Sequence, residues 1–166
     1  MTILITGGTG KTGGNLAKLL YAANLPFIIA TRSGKVPEPL KAVTFDWFNP
    51  DTFENPFKAD PNIDRVYIVC PISPDCLPQV APFIDLAISK GVKRFVLLTA
   101  TRMGPGTPGP GMVHNYLADK GIDYAVLRPS WFIRKHITMS WFDLNKKAYL
   151  LRREFWFSLA PQHYRK

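Results

Sequence analysis

Residues that build metal centres are scarce in this chain. It has two cysteines, Cys70 and Cys76, and three histidines in 166 residues. The cysteines lie six positions apart, which is no zinc-ligand spacing, and the histidines are widely separated. No metal site is expected, and each thiol reads as buried or idle in a reducing compartment. No apolar run approaches the roughly 20 residues of a membrane span, so no transmembrane segment is expected. The strand-like run Thr2–Thr6 follows a single Met. That leaves no room for the basic and apolar regions of a secretory leader. A cytoplasmic location is the expectation.

Acidic residues are also few, 12 against 21 Lys and Arg, for a formal net charge of +9. A charge of that size suggests nucleic acid, but its distribution argues against it. Residues 134–166 hold 8 of the basic and 2 of the acidic side chains, so the rest of the chain is close to balanced. The basicity belongs to a short tail, and no nucleic-acid partner is expected.

Alternation of apolar strands with helices runs through residues 1–133. Strand-like runs occur at Thr2–Thr6, Pro26–Ala30, Val43–Phe45, Arg65–Val69, Arg94–Leu98 and Tyr124–Leu127. Helical periodicity appears at Asn15–Ala23, Val80–Lys90 and Met112–Lys120, with a short capped turn over Asn49–Pro56. Gly91 and Gly121 stand where helix C-caps belong, and Gly104–Gly111 reads as a Gly/Pro loop. Wholly apolar strands separated by helices predict a parallel sheet covered on both faces. The expected fold is α/β, a Rossmann-like doubly wound parallel sheet of about six strands. Such sheets take ligands at the carboxyl ends of their strands.

The segment Gly7-Gly8-Thr9-Gly10-Lys11-Thr12-Gly13 carries two motifs at once. A triphosphate-binding loop needs a glycine five positions before Gly10, and Ile5 stands there inside the strand. The dinucleotide motif fits in two registers, Gly8-x-Gly10-x-x-Gly13 and Gly7-x-x-Gly10-x-x-Gly13. Its glycines make the turn, admit pyrophosphate and let helix pack on strand, and the helix N-terminus faces the anion. The bland alternative is a tight strand-to-helix turn. An acid at the end of the second strand would select NAD, but here the sequence reads Thr31-Arg32-Ser33, with Lys35 near. Arg32 and Ser33 suit a 2′-phosphate, so NADP(H) is the expected cofactor.

Several segments resemble the NmrA-like atypical short-chain dehydrogenases. They are the Gly-Gly-Thr-Gly-Lys-Thr start, Phe45-Asp46-Trp47, the run Gly91–Leu98 and the run Tyr124–Phe132 with its Leu-Arg-Pro-Ser-Trp-Phe ending. Within that group they are similar to the ergot-alkaloid branch of festuclavine and agroclavine dehydrogenases. The resemblance implies NADPH-dependent reduction of a carbon–nitrogen double bond in an indole alkaloid, a small-molecule substrate. It implies that Gly7, Gly8, Thr9, Gly10, Lys11, Thr12 and Gly13 line the pyrophosphate, with Arg32 and Ser33 at the 2′-phosphate. It puts Asp46 and Trp47 by the adenine, and Cys70, Pro71 and Thr99 along the nicotinamide ribose.

A Tyr-x-x-x-Lys spacing, the proton-donating pair of many short-chain dehydrogenases, occurs at Tyr116 and Lys120. Lys120 abuts Gly121, too close to the sixth strand, so Tyr116 is expected to pack and Lys120 to sit on the helix dipole. No catalytic residue is assigned. His114 is available as a polar contact. An iminium carbon accepts hydride without an acid, so the cofactor carries the hard step.

Beyond residue 133 the resemblance ends, and residues 134–166 form a basic, aromatic tail. Trp141, Leu144, Ala148, Leu151 and Phe155 keep helical spacing. Three readings stand: a segment packed on the core, a basic helix on an anionic membrane or acidic partner, or sequence without a role. The break suggests truncation, so weak turnover is expected, and a cofactor-binding protein without activity or an inactive fragment is the alternative to a reductase.

Overall fold

The structure, a computed structural model, describes residues 1–130. The boundary expected near residue 133 and the tail of residues 134–166 lie outside the described residues.

Six strands form one sheet: β1 (Thr2–Thr6), β2 (Phe27–Thr31), β3 (Ala42–Thr44), β4 (Ile63–Val69), β5 (Arg94–Leu98) and β6 (Asp123–Leu127). Their spatial order is β3-β2-β1-β4-β5-β6, and every pairing is parallel. The connecting helices among the described residues are α1 (Lys11–Ala22), α2 (Asn55–Ala59), α3 (Leu77–Ser89) and α4 (Pro110–Asp119). This is the expected doubly wound α/β sheet. The chain runs outward from β1 to β3, then returns past β1 to build β4, β5 and β6. The winding therefore reverses between β1 and β4, where such sheets open a crevice at their carboxyl edge.

The apolar runs become strands because both faces are covered. Every residue of β1 is buried. Residues of one parity, Leu4, Ile28, Ala30, Val66, Ile68, Phe95 and Leu97, join a core with Val80, Phe83, Ile84 and Ala87 of α3 and Val113 and Leu117 of α4. The other parity points to the opposite face, where α1 packs over β1 and β2 and buries Ala17 and Leu20. Gly91 and Gly121 close α3 and α4 with positive φ, as their positions suggested.

Element edges moved where packing overrode propensity. The helix expected from Asn15 starts at Lys11, because Gly13 and Gly14, poor helix formers, sit where backbone must pass against backbone. The loop expected over Gly104–Gly111 gives its last two residues to α4, with Pro110 in the first turn. The turn expected over Asn49–Pro56 resolves into a 3-10 turn at Pro50–Thr52, capped by the Asn49 side chain, followed by α2.

Phe83 is the hub of an aromatic cluster beneath the sheet. Its ring lies 4.9 Å from Phe45, 5.5 Å from Trp47, 5.6 Å from Phe53 and 6.0 Å from Phe57, centroid to centroid. It is wholly buried, so truncation leaves a cavity between α3 and the segment after β3. Phe83→Ala is expected to cost about 3–5 kcal/mol of unfolding free energy, read by urea titration. A loss under about 1 kcal/mol would show that the cluster does not brace that segment.

Candidate functional site

The glycine segment is a tight turn. Gly7 has φ +62, and a Cβ there would lie 2.9 Å from Cβ of Val69 at the end of β4. The Gly10 amide donates to the Gly7 carbonyl at 2.9 Å, and α1 begins at Lys11. Only four residues separate β1 from α1, too few for a loop that wraps a triphosphate, in keeping with the position of Ile5. A Cβ on Gly13 would lie 2.5 Å from the Gly7 carbonyl oxygen and 2.9 Å from the Gly8 Cα. Both neighbours are backbone and cannot yield. A Cβ on Gly8 would strike Ile29 Cγ2. The turn-making glycine is thus Gly7, which favours the Gly7-Gly10-Gly13 register.

The start of α1 has no side-chain cap, and Gly10 occupies the cap position. Its first amide N–H groups have no intrahelical acceptor and carry the positive end of the helix dipole. Thr9, Gly10 and Lys11 are exposed beside them, and Thr12 is half-buried. Burial pushes the hydroxyl of Tyr67 of β4 above the ordinary tyrosine range, against an opposing effect of Thr12.

Past β2 the chain turns at once. Gly34 donates to the Thr31 carbonyl at 3.2 Å, and the Phe45 amide takes the same oxygen at 2.8 Å. Ser33 Oγ lies 3.4 Å from Thr31 Oγ1 and accepts from the Lys35 amide at 3.2 Å. Arg32 and Lys35 are exposed, and neither they nor Lys11 enter an ion pair among the described residues. No carboxylate stands at the end of β2.

The segment after β3 is more tightly held than a ligand-binding loop needs to be. The Asp46 carboxylate accepts from the Phe48 amide at 3.1 Å, and its own amide donates to Thr52 Oγ1 at 2.9 Å. The Trp47 indole N–H donates to the Val69 carbonyl at 3.1 Å. Trp47 thereby ties the end of β3 to the end of β4, with one face on Phe45 and Phe83.

Across the crevice, Thr6 Oγ1 donates to the Tyr67 carbonyl at 3.0 Å and accepts from the Val69 amide at 2.8 Å. Cys70 and Pro71 follow, both half-buried. Both thiols are free, with Cys76 buried, and interaction with Cys76 followed by burial pushes the Cys70 thiol above its ordinary range. Thr99, buried after β5, donates through its amide at 2.8 Å and its hydroxyl at 3.2 Å to the Leu127 carbonyl of β6.

Tyr116 and Lys120 belong to a different contact. The Tyr116 hydroxyl donates to Asp85 Oδ2 of α3 at 2.7 Å, and Lys120 pairs with Asp85 Oδ1 at 2.6 Å. Lys120 holds the Asp85 carboxyl below its usual range. The pair staples α4 to α3 on an exposed surface. Lys120 thus does more than face the helix dipole. His114 is buried on α4, edge-on to Tyr124, with Nδ1 3.3 Å from an Arg128 guanidinium nitrogen. Burial first, then the Arg128 charge, pushes its pKa below the ordinary 6.5, so the imidazole is neutral and accepts from Arg128.

Because all strands are parallel, the ends of β1, β2, β4 and β5 bring the glycine turn, Arg32 and Ser33, Cys70 and Pro71, and Thr99 to one edge of the sheet. Asp46 and Trp47 follow β3 at the same edge. Sequence reading missed Thr6, Tyr67 and Gly34. A threonine closing a strand and a Ser-Gly pair after one were the only signals. No group of acidic, His and Cys residues able to hold a metal occurs among the described residues, and no helix there is long and apolar enough to cross a membrane.

An all-parallel sheet in this order, with a glycine turn into an uncapped helix at the reversal, is a Rossmann-like domain. Solved structures share it. The Citrobacter triphenylmethane reductase, solved with NADP(H), superposes with a TM-score of 0.63 at 21% identity, over 80% of this chain and 50% of that one. The Escherichia coli NADPH-dependent quinone oxidoreductase, solved with NADPH, gives the same values. No protein-family model matches the chain. Sequence relatives are more specific. The agroclavine dehydrogenase of Claviceps fusiformis is 45% identical over 149 residues, 87% of this chain and 52% of that protein. Festuclavine synthase I of Penicillium roqueforti (strain FM164) is 42% identical over 139 residues, 80% of this chain and 48% of its own length. The chain belongs to the family of these agroclavine and festuclavine enzymes, among the NmrA-like atypical short-chain dehydrogenases. It spans about half the length of the curated relatives it matches.

Two outcomes follow from this geometry. Gly13→Ala forces the start of α1 off β1 and is expected to destabilise by about 1–3 kcal/mol, the range of overpacked cores. Gly10→Ala, whose Cβ would meet the Gly7 oxygen at 3.1 Å, is expected to cost clearly less. Urea unfolding of both variants checks the order. For His114, the unfolded chain binds more protons once pH falls below about 6.5. Its contribution is complete above that value and is lost as pH falls toward the depressed native pKa. Arg128 and Tyr124 are the groups in contact with it. The melting temperature should fall between pH 7 and pH 5, and His114→Gln should fall less; equal slopes would assign the pH dependence elsewhere.

Proposed function

We propose that this chain binds NADP(H) along the carboxyl edge of its sheet and serves an NADPH-dependent oxidoreductase that reduces a carbon–nitrogen double bond in an indole alkaloid. The observation that carries the reading is Arg32, exposed and without an ion pair among the described residues, at the end of β2 where an acid would select NAD. The residues present fit the dinucleotide. Gly7 and Gly13 allow the tight turn because a Cβ at either would strike Val69 or the Gly7 and Gly8 backbone, and that turn ends in a helix without a side-chain cap. In this reading Gly7, Gly8, Thr9, Gly10, Lys11, Thr12 and Gly13 hold the pyrophosphate. Arg32 and Ser33, with Lys35, hold the 2′-phosphate. Asp46 and Trp47 border the adenine, and Cys70, Pro71 and Thr99 border the nicotinamide ribose. The names of the relatives supply the alkaloid class, and the neighbours solved with NADPH support the cofactor.

When bound, NADPH supplies the hydride. The chain's contribution is orientation: Trp47, held on the Val69 carbonyl, and Thr99, held on the Leu127 carbonyl, keep the two ends of the site at fixed spacing. An iminium carbon is already electrophilic, so this half need only position the reactants. A second reading, dinucleotide binding without turnover, is favoured by the engagement of Tyr116 and Lys120 with Asp85.

Fluorescence titration of the full chain with NADPH and NADH tests the cofactor. NADPH is expected to bind at least tenfold more tightly. A hydrogen-bonded charge is worth about 1.5–3 kcal/mol, and solvent screening at an exposed site trims that. Arg32→Ala should therefore lose about tenfold in NADPH affinity with NADH unchanged. Lys120→Met should leave both unchanged. Equal affinity for the two nucleotides would defeat the NADP assignment. NADPH oxidation in the presence of an imine alkaloid separates the reductase from the silent binder.

A further inference from the structure

We propose that Arg128, at the carboxyl end of β6 and held by His114 of α4, is an anion subsite on the substrate side of the crevice and takes a carboxylate of the bound small molecule. Arg128 is the residue that follows β6. One of its guanidinium nitrogens lies 3.3 Å from Nδ1 of His114. The imidazole is buried and edge-on to Tyr124, while Arg128 itself is exposed. A guanidinium is all donor and keeps its proton, so Nδ1 is the acceptor and the ring is neutral. The partner of Arg128 therefore orients the side chain and leaves its charge whole. A carboxylate in the place of His114 would have quenched it.

Other cations have carboxylates of their own. Lys58 and Lys90 share Glu54, Arg94 meets Asp123, and Lys120 meets Asp85. Arg128 has none among the described residues, and neither has the exposed Arg102, four residues past β5. The backbone at Arg128 is fixed as well. Thr101 donates to the Pro129 carbonyl through its amide at 3.2 Å and to the Arg128 carbonyl through its hydroxyl at 3.3 Å. A solvated surface arginine has about 2 kcal/mol of rotamer entropy to lose on binding. Arg128 is held at the backbone by Thr101 and at the guanidinium by His114, so part of that cost is already met.

The phosphates of a dinucleotide do not reach it. In the order β3-β2-β1-β4-β5-β6, β6 stands three strand spacings from β1 and four from β2, about 14 and 19 Å at roughly 4.8 Å each. An anion at the glycine turn or at Arg32 leaves Arg128 unanswered. In the proposed reading, the ends of β5 and β6 border the nicotinamide and the molecule it reduces. The substrate-side location rests on that reading, and the anion subsite itself does not. With one nitrogen on His114, the guanidinium keeps its other N–H groups for a planar two-oxygen acceptor. A lone fork supplies one positive charge, which matches a carboxylate and undercharges a phosphate dianion.

Calorimetric titration of the full chain, with and without saturating NADPH, tests this with two probes: indole-3-acetate and its neutral isostere indole-3-acetamide. The carboxylate is expected to bind at least tenfold more tightly than the amide, whether or not NADPH is present. Arg128→Gln should erase the preference, and Arg128→Lys, which keeps the charge and loses the fork, should retain part of it. His114→Gln, whose side-chain carbonyl still accepts, should keep most of the preference, and His114→Leu should reduce it several-fold. NADPH affinity should be the same in all four variants. Equal affinity for the two probes, no binding of either, or a preference that survives Arg128→Gln would overturn the subsite. Displacement of indole-3-acetate by NADPH would put the carboxylate in the phosphate positions and overturn the substrate-side location. A carboxylate preference lost in Arg128→Gln, in a chain that binds no NADPH, would sink the nucleotide reading and leave the Arg128 subsite standing.

Discussion

Everything at the carboxyl edge depends on one close approach, that of Gly13 to the backbone of Gly7 and Gly8. A single added carbon at Gly13 would press on two backbone groups that have nowhere to go. Without that approach α1 would ride farther from β1, and its N-terminal amides would no longer point into the place where the sheet winding reverses. The cost is accepted locally: two glycines early in α1 weaken the helix by roughly 1 kcal/mol each relative to alanine. Burial of Ala17 and Leu20 against the sheet offsets it. Helix start, uncapped N-terminal amides and sheet packing are thus consequences of the same contact.

A second layer fixes the crevice from below. Thr6 joins β1 to β4 through the Tyr67 carbonyl and the Val69 amide, and Trp47 brings the segment after β3 to the Val69 carbonyl. Val69 therefore receives groups from β1, from the glycine turn and from the segment after β3.

Much of this was legible in the chain itself. The six strands and their parallel arrangement were readable because buried strands are continuous apolar runs, and the glycine spacing declared the turn. Arg32 stood out because an acid was missing. The start of α1 was not readable, since Gly13-Gly14 argues against a helix until the partner surface is known. His114 looked like an ordinary polar residue, and its neutral state depends on burial and on Arg128, fourteen positions away. The dehydrogenase-like spacing of Tyr116 and Lys120 gave no hint of their partner, Asp85, which lies 31 residues earlier than Tyr116.

The sequence alone determined the α/β class, the glycine turn and the absence of an acid after β2, because each rests on local residue types: apolar runs, absent side chains, an arginine in place of an acid. Tertiary structure decided which glycine turns, which helix start is used, and which side chains at the strand ends are already committed to neighbouring carbonyls. Those are contacts between residues distant along the chain, and residue spacing carries no record of them until the sheet is wound.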